Sequence, residues 1–434
     1  MRLALGSIVL LILLRYHFLL LIVWVLYNGP NGLPIFRGSN NLLGLTIPTM
    51  LVVASLPIAE AVKRMPALIV LCGYLLWVFA SIGISAIGPS AFLTAWILLV
   101  DCLAVTILTI SVLSTRQRLL RLIDTLLVVS TGIALYGIYC YITRQNGVVD
   151  DVNASFFRAG SVFGPGPQAF ALFLSFVIPL ALYRTFTLRG FKQVGGILLV
   201  CCFLIALALT FTRGAYISVP CSLLIMVCFL PSRKKKLATL GGMLAVGAAV
   251  VLLTMIANIP IFDRFPHQDV TTLNGRTYLW QAVIDHFDPT QLLGNGLFAS
   301  NVLLTQLQVG INGQGLIGTS PHDLYLGTLY DSGIIGLSLL LLTFLILCIN
   351  LLAGIRKTSG EHRILFAMAL AIVIGALVQS LETNDLMSQG ISIYFWIVVA
   401  LPFARCWGRD AVRAGRDKPQ PLREDVDTCP DDTD

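Results

Sequence analysis

The amino-acid sequence predicts an all-α protein that crosses a membrane many times. Of its 434 residues, 57% are hydrophobic and only 12% are charged, whereas an average globular chain carries about 25% charged residues. The apolar residues also form long runs, and a membrane-spanning helix needs about 20 of them. Together these observations exclude a water-soluble fold and predict a polytopic membrane protein.

Twelve apolar runs are predicted to cross the membrane as helices. They cover residues 3–27, 42–62, 67–87, 91–112, 122–142, 161–182, 194–210, 214–230, 237–257, 324–350, 364–381 and 390–404. The first run contains Arg15 and His17 and lacks a small-residue cleavage site, so we expect a span rather than a cleaved signal peptide.

These spans divide the chain into four regions. We expect nine helices within residues 1–257, a long loop over residues 258–322, three further helices within 323–404, and a disordered tail over 405–434. The tail alternates charged residues with proline and glycine, which is typical of disordered segments. The long loop is where we expect the function to lie, because long ordered connections are often functional.

The distribution of lysine and arginine predicts the orientation. With the amino terminus inside, 22 of the 29 cations lie on the cytoplasmic side, six lie outside and Arg15 lies within a span. Cytoplasmic loops of membrane proteins carry such an excess of positive charge. We therefore expect both termini in the cytoplasm and the long loop on the outer side.

All six cations on the outer side are arginines. They are Arg37, Arg144, Arg158, Arg213, Arg264 and Arg276. Either selection against positive charge left a few arginines there, or guanidinium groups were kept because they bind phosphate or carboxylate bidentately. Arg213 lies where two predicted spans meet, which also suits an interfacial anchor. Arg276 opens a predicted short helix ending near Asp288, and the amino terminus of a helix favours an anion; alternatively it is a solvated loop residue.

His322 lies where the long loop re-enters the membrane. The ordinary pKa of histidine lies near neutrality, which suits a general base, although an isolated histidine at such a boundary is more often a hydrogen-bonded interfacial residue. A second apolar stretch in the loop, Val302–Val309, predicts another short helix. The sequence contains no Walker loop, no H-E-x-x-H and no cysteine–histidine cluster with metal spacing, so we expect neither metal nor cofactor.

Taken in order, these segments resemble the O-antigen ligase and polymerase superfamily. Members of that family carry S/T-R-G at a span boundary, G-R-x-x-x-W in a large periplasmic loop, and H-N-x-Y-L followed by spaced glycines. The matching segments here are Thr212-Arg213-Gly214, Gly275-Arg276 with Trp280, and His322-Asp323-Leu324-Tyr325-Leu326.

A fourth segment extends the resemblance to roughly residues 157–337. Arg158-Ala159-Gly160-Ser161-Val162-Phe163 is similar to the R-x-x-G-x-F segment of the family. The chain departs from the pattern at Asp323, where the family usually has asparagine. It also has Gly164-Pro165-Gly166-Pro167 where N-P-N is common.

The resemblance implies a glycosyltransferase C-like membrane fold in a bacterial inner membrane. It implies transfer of a glycan from a polyprenyl-pyrophosphate carrier to an acceptor hydroxyl at the periplasmic face, by a metal-independent displacement with inversion. Arg213 and Arg276 would bind the pyrophosphate with Arg158 as a third cation, and His322 would be the base. Asp323 and Tyr325 are expected to support these groups rather than to touch the substrate.

Four alternatives differ in substrate or class. A ligase uses a lipid A-core sugar as acceptor and is favoured, a polymerase uses another growing glycan, and an oligosaccharyltransferase uses a protein hydroxyl. A flippase or transporter moves the lipid-linked sugar without reaction. Transporters place ionisable residues inside spans and often contain inverted repeats. Here the ionisable residues inside spans are mainly Arg15 and Asp101, which we expect to pair with each other, and no repeat is seen.

Overall fold

The computed structural model describes residues 17–28, 39–85, 87–88, 90–149, 157–162, 166–230, 232–256, 276–307, 310–311, 316–317, 320–388 and 390–407. The helices are α1 (His17–Asn28), α2 (Ser39–Ala54), α3 (Ile58–Arg64), α4 (Ala67–Ala80), α5 (Ser90–Leu99), α6 (Val105–Val112), α7 (Arg116–Thr143), α8 (Pro167–Thr187), α9 (Phe191–Ala208), α10 (Arg213–Cys228), α11 (Arg233–Ile256), α12 (Arg276–Asp285), α13 (Ala299–Gln306), α14 (Leu324–Lys357), α15 (Gly360–Gln379) and α16 (Ile391–Ala400). A π-helical turn, Val100–Ala104, joins α5 to α6, and 3-10 turns cover Ser81–Ile84, Asp385–Met387 and Leu401–Phe403.

The all-α polytopic class is confirmed. Seven helices of the described ranges are long and apolar enough to cross a membrane, or eight if the bent pair formed by α2 and α3 is one span. Two shorter apolar helices, Arg213–Cys228 and Ile391–Phe403, lie among them. The number twelve stays a prediction, and residues 3–16 of the first predicted span lie outside the described ranges.

Two predicted spans differ from the helices in the structure. The span expected over 42–62 is bent by 88° between Ala54 and Ile58. Pro57 directly precedes the second helix and has no amide hydrogen to donate. The span expected from residue 161 begins at Pro167 instead. Proline is favoured at the first position of a helix, because an amide hydrogen at that position would have no partner within the helix and its absence costs nothing.

The core lies between α8, α15 and α16. Every residue of α16 is buried, and its Tyr394 ring packs edge-on against Phe173 of α8 with the ring centroids 5.0 Å apart. Asp101 accepts a hydrogen bond at 3.4 Å from Ser392 of α16, and its expected partner Arg15 lies outside the described residues. Aromatic packing of this kind anchors the helices that carry the site.

A hairpin precedes α8. Its strands β1 (Gly147–Val149) and β2 (Phe157–Ala159) are antiparallel, with Val148 opposite Arg158. The Ala159 amide donates to the Leu209 carbonyl at 2.9 Å. This bond fixes β2, and with it Arg158, beside the turn that leads into α10.

The two helices of the long loop dock on the first section of α14. Leu279 and Val283 of α12 form a small apolar cluster with Ala299, Leu304 and Tyr330. The expected helix over Val302–Val309 is therefore found slightly earlier, as α13. A second hairpin, β3 (Gly310–Ile311) with β4 (Leu316–Ile317), follows it.

Helix α14 is broken at Gly333. Its 34 residues would extend about 50 Å as one helix, longer than a membrane core of about 30 Å. Gly333 has φ 70° and ψ −176°, and a Cβ there would collide with the backbone of Leu292 and Gly294. The Ser332 carbonyl accepts a hydrogen bond from the Trp77 indole at 2.9 Å. Glycine is required here by both its conformation and its neighbours.

Candidate active site

Four separate segments meet at one end of the helix bundle. Arg213 begins α10, Arg276 begins α12, and His322 precedes α14. The Trp280 indole of α12 donates to the Pro321 carbonyl at 2.9 Å, which joins the second and third sequence motifs. The Leu324 amide donates to the Ser380 carbonyl at 2.9 Å, which brings the turn after α15 to the same place.

Glu382, in that turn, lies at the centre of the site. Its Oε1 forms an ion pair with an Nη1 of Arg276 at 3.2 Å, and the two side chains are only 15% and 16% exposed. Its Oε2 is buried without a hydrogen-bond partner in the described part of the chain and packs on Gly214, where an added Cβ would collide with it. The glycine after Arg213 therefore leaves room for a carboxylate.

The cations Arg213 and Arg276 are electrostatic neighbours. Burial lowers the pKa of Arg276, Glu382 opposes that shift, and the positive charge of Arg213 adds to it. Two guanidinium groups held close together in a poorly hydrated place repel each other. An anion with several oxygens would relieve this repulsion.

Arg158 is held against the turn before α10. It is buried, its Nε donates to the Thr210 carbonyl at 3.1 Å, and an Nη2 donates to the Thr212 hydroxyl at 3.2 Å. Phe211, between these two threonines, has φ 52°, which is uncommon for a residue with a side chain. Arg158 thus supports the turn that places Arg213.

His322 adopts a left-handed backbone conformation with φ 50°, and its amide donates to the Ser320 hydroxyl at 3.3 Å. Burial lowers the pKa of His322 to about 4, and the charges of Arg276 and Arg158 add to the effect. The sequence-based expectation of titration near neutrality is therefore replaced by a neutral ring. At pH 7 the imidazole is free to accept a proton, although a lower pKa makes it a weaker base.

Asp323 caps the first turn of α14. One carboxylate oxygen accepts from the amides of Tyr325 and Leu326, both at 2.8 Å. Burial raises the pKa of Asp323, whereas these amides and Arg276 oppose the rise. Aspartate and asparagine are equally good helix caps, which explains how the chain can depart from the family pattern here. The Tyr325 hydroxyl donates to the Leu377 carbonyl at 2.7 Å and ties α14 to α15.

His322 also lines a cavity of about 450 Å³. The lining of this cavity includes none of the three arginines, Arg158, Arg213 and Arg276. Within the described ranges, no three His, Cys, Asp or Glu side chains are grouped so that they could hold a metal ion, and metal independence remains a prediction.

Sequence reasoning missed Glu382 and its neighbour Asp385. Both lie in the connection between the last two predicted spans, on the side predicted to carry Arg213 and His322. Only cations were counted on that side, although a carboxylate at a span boundary was a visible signal. The pairing of Glu382 with Arg276 depends on tertiary structure and cannot be predicted from the local sequence.

One family model matches the chain. It is described as O-antigen ligase and covers residues 197–341, a segment that begins in α9 and ends in α14. It includes the three motifs that carry Arg213, Arg276 and His322. No curated protein matches the chain. Over residues 197–341 the chain is similar to the O-antigen ligase family, which confirms the superfamily resemblance drawn from its motifs.

Proposed function

We propose that this protein transfers a glycan from a polyprenyl-pyrophosphate carrier to a sugar hydroxyl of lipid A-core. The family match supports glycosyl transfer of the ligase or polymerase type in lipopolysaccharide synthesis. The observation that carries the finer proposal is the site itself: Arg276, paired with Glu382, neighbours Arg213 and His322.

The arginines would bind the leaving group. As the bond between the anomeric carbon and the pyrophosphate oxygen breaks, negative charge grows on that oxygen. Guanidinium groups already in place stabilise such charge without rearranging during the reaction. Arg213 and Arg276 would take this role, and the hydrogen bonds of Arg158 to Thr210 and Thr212 support it by holding the turn before Arg213.

His322 would act on the acceptor. A neutral ring nitrogen accepts the proton of the acceptor hydroxyl while the oxygen attacks the anomeric carbon, so one displacement forms the new glycosidic bond with inversion. Positioned general bases accelerate such steps by about 10²–10⁴-fold. A bound pyrophosphate would also offset the arginine charges that lower the pKa of His322, making the ring a stronger base when the donor is present.

The ion pairs at the other end of the bundle fit the proposed orientation. Arg116 pairs with Glu361 at 2.5 Å and Arg184 with Asp124 at 2.7 Å, and Arg116, Arg184 and Glu361 belong to connections expected in the cytoplasm. We propose cytoplasmic termini and a periplasmic site in the bacterial inner membrane.

Cysteines introduced at residues 269 and 235 test this orientation: only the cysteine at 269 should be labelled from outside intact cells. Labelling of 235 alone would overturn the orientation.

Transfer by the purified protein tests the activity. The protein is incubated with a lipid-linked glycan and either lipid A-core or a glycan acceptor, without added metal or nucleotide. Glycan attached to lipid A-core supports a ligase, whereas a lengthened lipid-linked glycan identifies a polymerase. Movement of the lipid-linked glycan across vesicles with no product would identify a transporter instead.

Arginine-to-lysine variants test the role of the cations. Arg276→Lys and Arg213→Lys keep the charge but lose the planar fork that binds phosphate bidentately. We expect both to bind the donor weakly and to transfer slowly. Wild-type rates in both variants would contradict the proposed role of the guanidinium groups.

A further inference from the structure

The lining of the cavity beside His322 contains several polar side chains that the chemistry above does not use. Its volume is about 450 Å³, within the range of about 300–1,000 Å³ that is usual for small-molecule pockets. It lies between the start of α8, the turn before α13, the first section of α14 and the segment after α15. His322 forms one wall.

Three polar side chains on this lining have unused hydrogen-bonding groups. The side-chain amides of Gln168 and Asn384 have no partner among the described residues, and neither does Oδ1 of Asp385. The other oxygen of Asp385 accepts from the Thr383 hydroxyl at 2.5 Å, which fixes the carboxylate. The three side chains are partly buried, and their unused groups are open to a ligand in the cavity. Sugar hydroxyls suit such groups because they both donate and accept hydrogen bonds.

The lining is also acidic. Asp331 and Asp385 both contribute to it, and no lysine or arginine is found among the lining residues that the structure describes. Asp331 is held by the amides of Phe298 at 3.1 Å and Ser300 at 2.7 Å. Burial raises the pKa of Asp385, so the carboxylates need not be fully charged. A phosphate or uronic acid would still meet no lysine or arginine on the described lining, and burying a charge without a partner is costly.

We propose that the cavity binds the acceptor sugar, and that it selects an uncharged, hydroxyl-rich sugar over a phosphorylated or carboxylated one. This inference rests on the proposed function. Displacement with inversion requires the acceptor to approach from the face opposite the leaving group, and the arginines lie outside the cavity while His322 borders it. The anionic donor group and the neutral acceptor would therefore be bound by different residues, with His322 next to both groups.

Binding of simple glycosides tests the charge selection. Methyl α-glucopyranoside and glucose 6-phosphate are titrated against the protein in lipid nanodiscs by saturation-transfer NMR. We expect the neutral glycoside to bind at least about tenfold more tightly. Asp385→Asn should weaken its binding about tenfold, because a charge-assisted hydrogen bond becomes a neutral one.

Asp124→Asn is the matched control for Asp385→Asn. Asp124 pairs with Arg184 at the other end of the bundle, so this variant should bind both probes as the wild type does. Equal affinity for the two probes, preference for the phosphate, or unchanged binding in Asp385→Asn would each overturn the charge selection.

Transfer kinetics distinguish the acceptor from the donor sugar. In Asp385→Asn we expect the KM for the acceptor to rise about tenfold while the KM for the donor stays unchanged. A rise confined to the donor KM would overturn the proposal, because the cavity would then hold the donor sugar. Selective binding of the neutral glycoside without transfer to any acceptor would overturn the proposed function and support the sugar site.

Discussion

Replacing Glu382 with glutamine should destabilise the protein and slow transfer, because it removes the counter-ion of Arg276. The two side chains are only 15% and 16% exposed, so water cannot easily take the place of the lost carboxylate. Burial already lowers the pKa of Arg276 despite the attraction of Glu382. Without Glu382 the guanidinium would keep its positive charge next to Arg213 with less to offset it.

The size of the effect follows from the geometry. Two unit charges 3.2 Å apart attract each other by about 5 kcal/mol at an effective dielectric constant of about 20. Glutamine retains a hydrogen bond worth about 1 kcal/mol and avoids the desolvation of a carboxylate. We therefore expect the free energy of unfolding to fall by about 2–3 kcal/mol, slightly below the loss of about 3–5 kcal/mol for fully buried pairs.

Thermal unfolding followed by tryptophan fluorescence measures this effect in detergent. Polyprenyl pyrophosphate should raise the Tm of Glu382→Gln by more than that of the wild type, because the ligand supplies the missing negative charge. Asp124→Asn breaks a pair in which Asp124 is 51% exposed. The free energy of unfolding of this variant should fall by at most about 1 kcal/mol, and its transfer rate should not change.

Two results would refute the reasoning about Glu382. A Tm and a transfer rate both equal to those of the wild type would show that the ion pair does not hold Arg276 in place. Equal stabilisation of Glu382→Gln and wild type by polyprenyl pyrophosphate would show that the ligand does not meet Arg276.

The remaining predictions concern His322 and Gly214. His322→Gln should reduce the transfer rate by about 10²–10⁴-fold without loss of donor binding. Because the pKa of His322 is lowered to about 4, kcat/KM should stay level as the pH falls and drop only near about pH 4, where the ring becomes protonated. The acid limb of kcat should lie at higher pH, since bound pyrophosphate offsets the nearby arginines; a kcat/KM limb centred near about pH 6.5 would contradict the burial argument. Gly214→Ala should displace the Glu382 carboxylate from Arg276 and slow transfer. The Tm should fall by less than in Glu382→Gln, because the displaced carboxylate keeps its charge near Arg276. A Cβ added at Gly132 meets no atom within 4 Å. Gly132→Ala is therefore the control and should behave as the wild type does.

The positions of the helices could largely be predicted from the sequence. Each predicted span from 42–62 onward overlaps a described helix, because long apolar runs leave the backbone no other way to satisfy its hydrogen bonds in a membrane. The bend near Pro57 was not predicted, since hydropathy does not register one proline between two apolar stretches. The first predicted span lies mostly outside the described residues.

The candidate site was predictable only where its residues belong to local motifs. Arg213, Arg276 and His322 each follow a recognisable pattern, and the structure brings them together. Glu382 was missed because its contact with Arg276 joins segments far apart in the chain. The low pKa of His322 was missed for the same reason, since burial and charged neighbours come from other elements.

Part of the joint between the long loop and α14 is made of main-chain groups alone. The Asn295 amide donates to the Tyr330 carbonyl at 3.0 Å, and the Gly296 amide donates to the Asp331 carbonyl at 2.9 Å. Such bonds do not depend on which side chains the loop carries. Exposed loop residues can therefore change without breaking these bonds, as long as glycine is kept at 294 and 333, where the two backbones touch. A surface that tolerates substitution is thus carried on a fixed backbone joint.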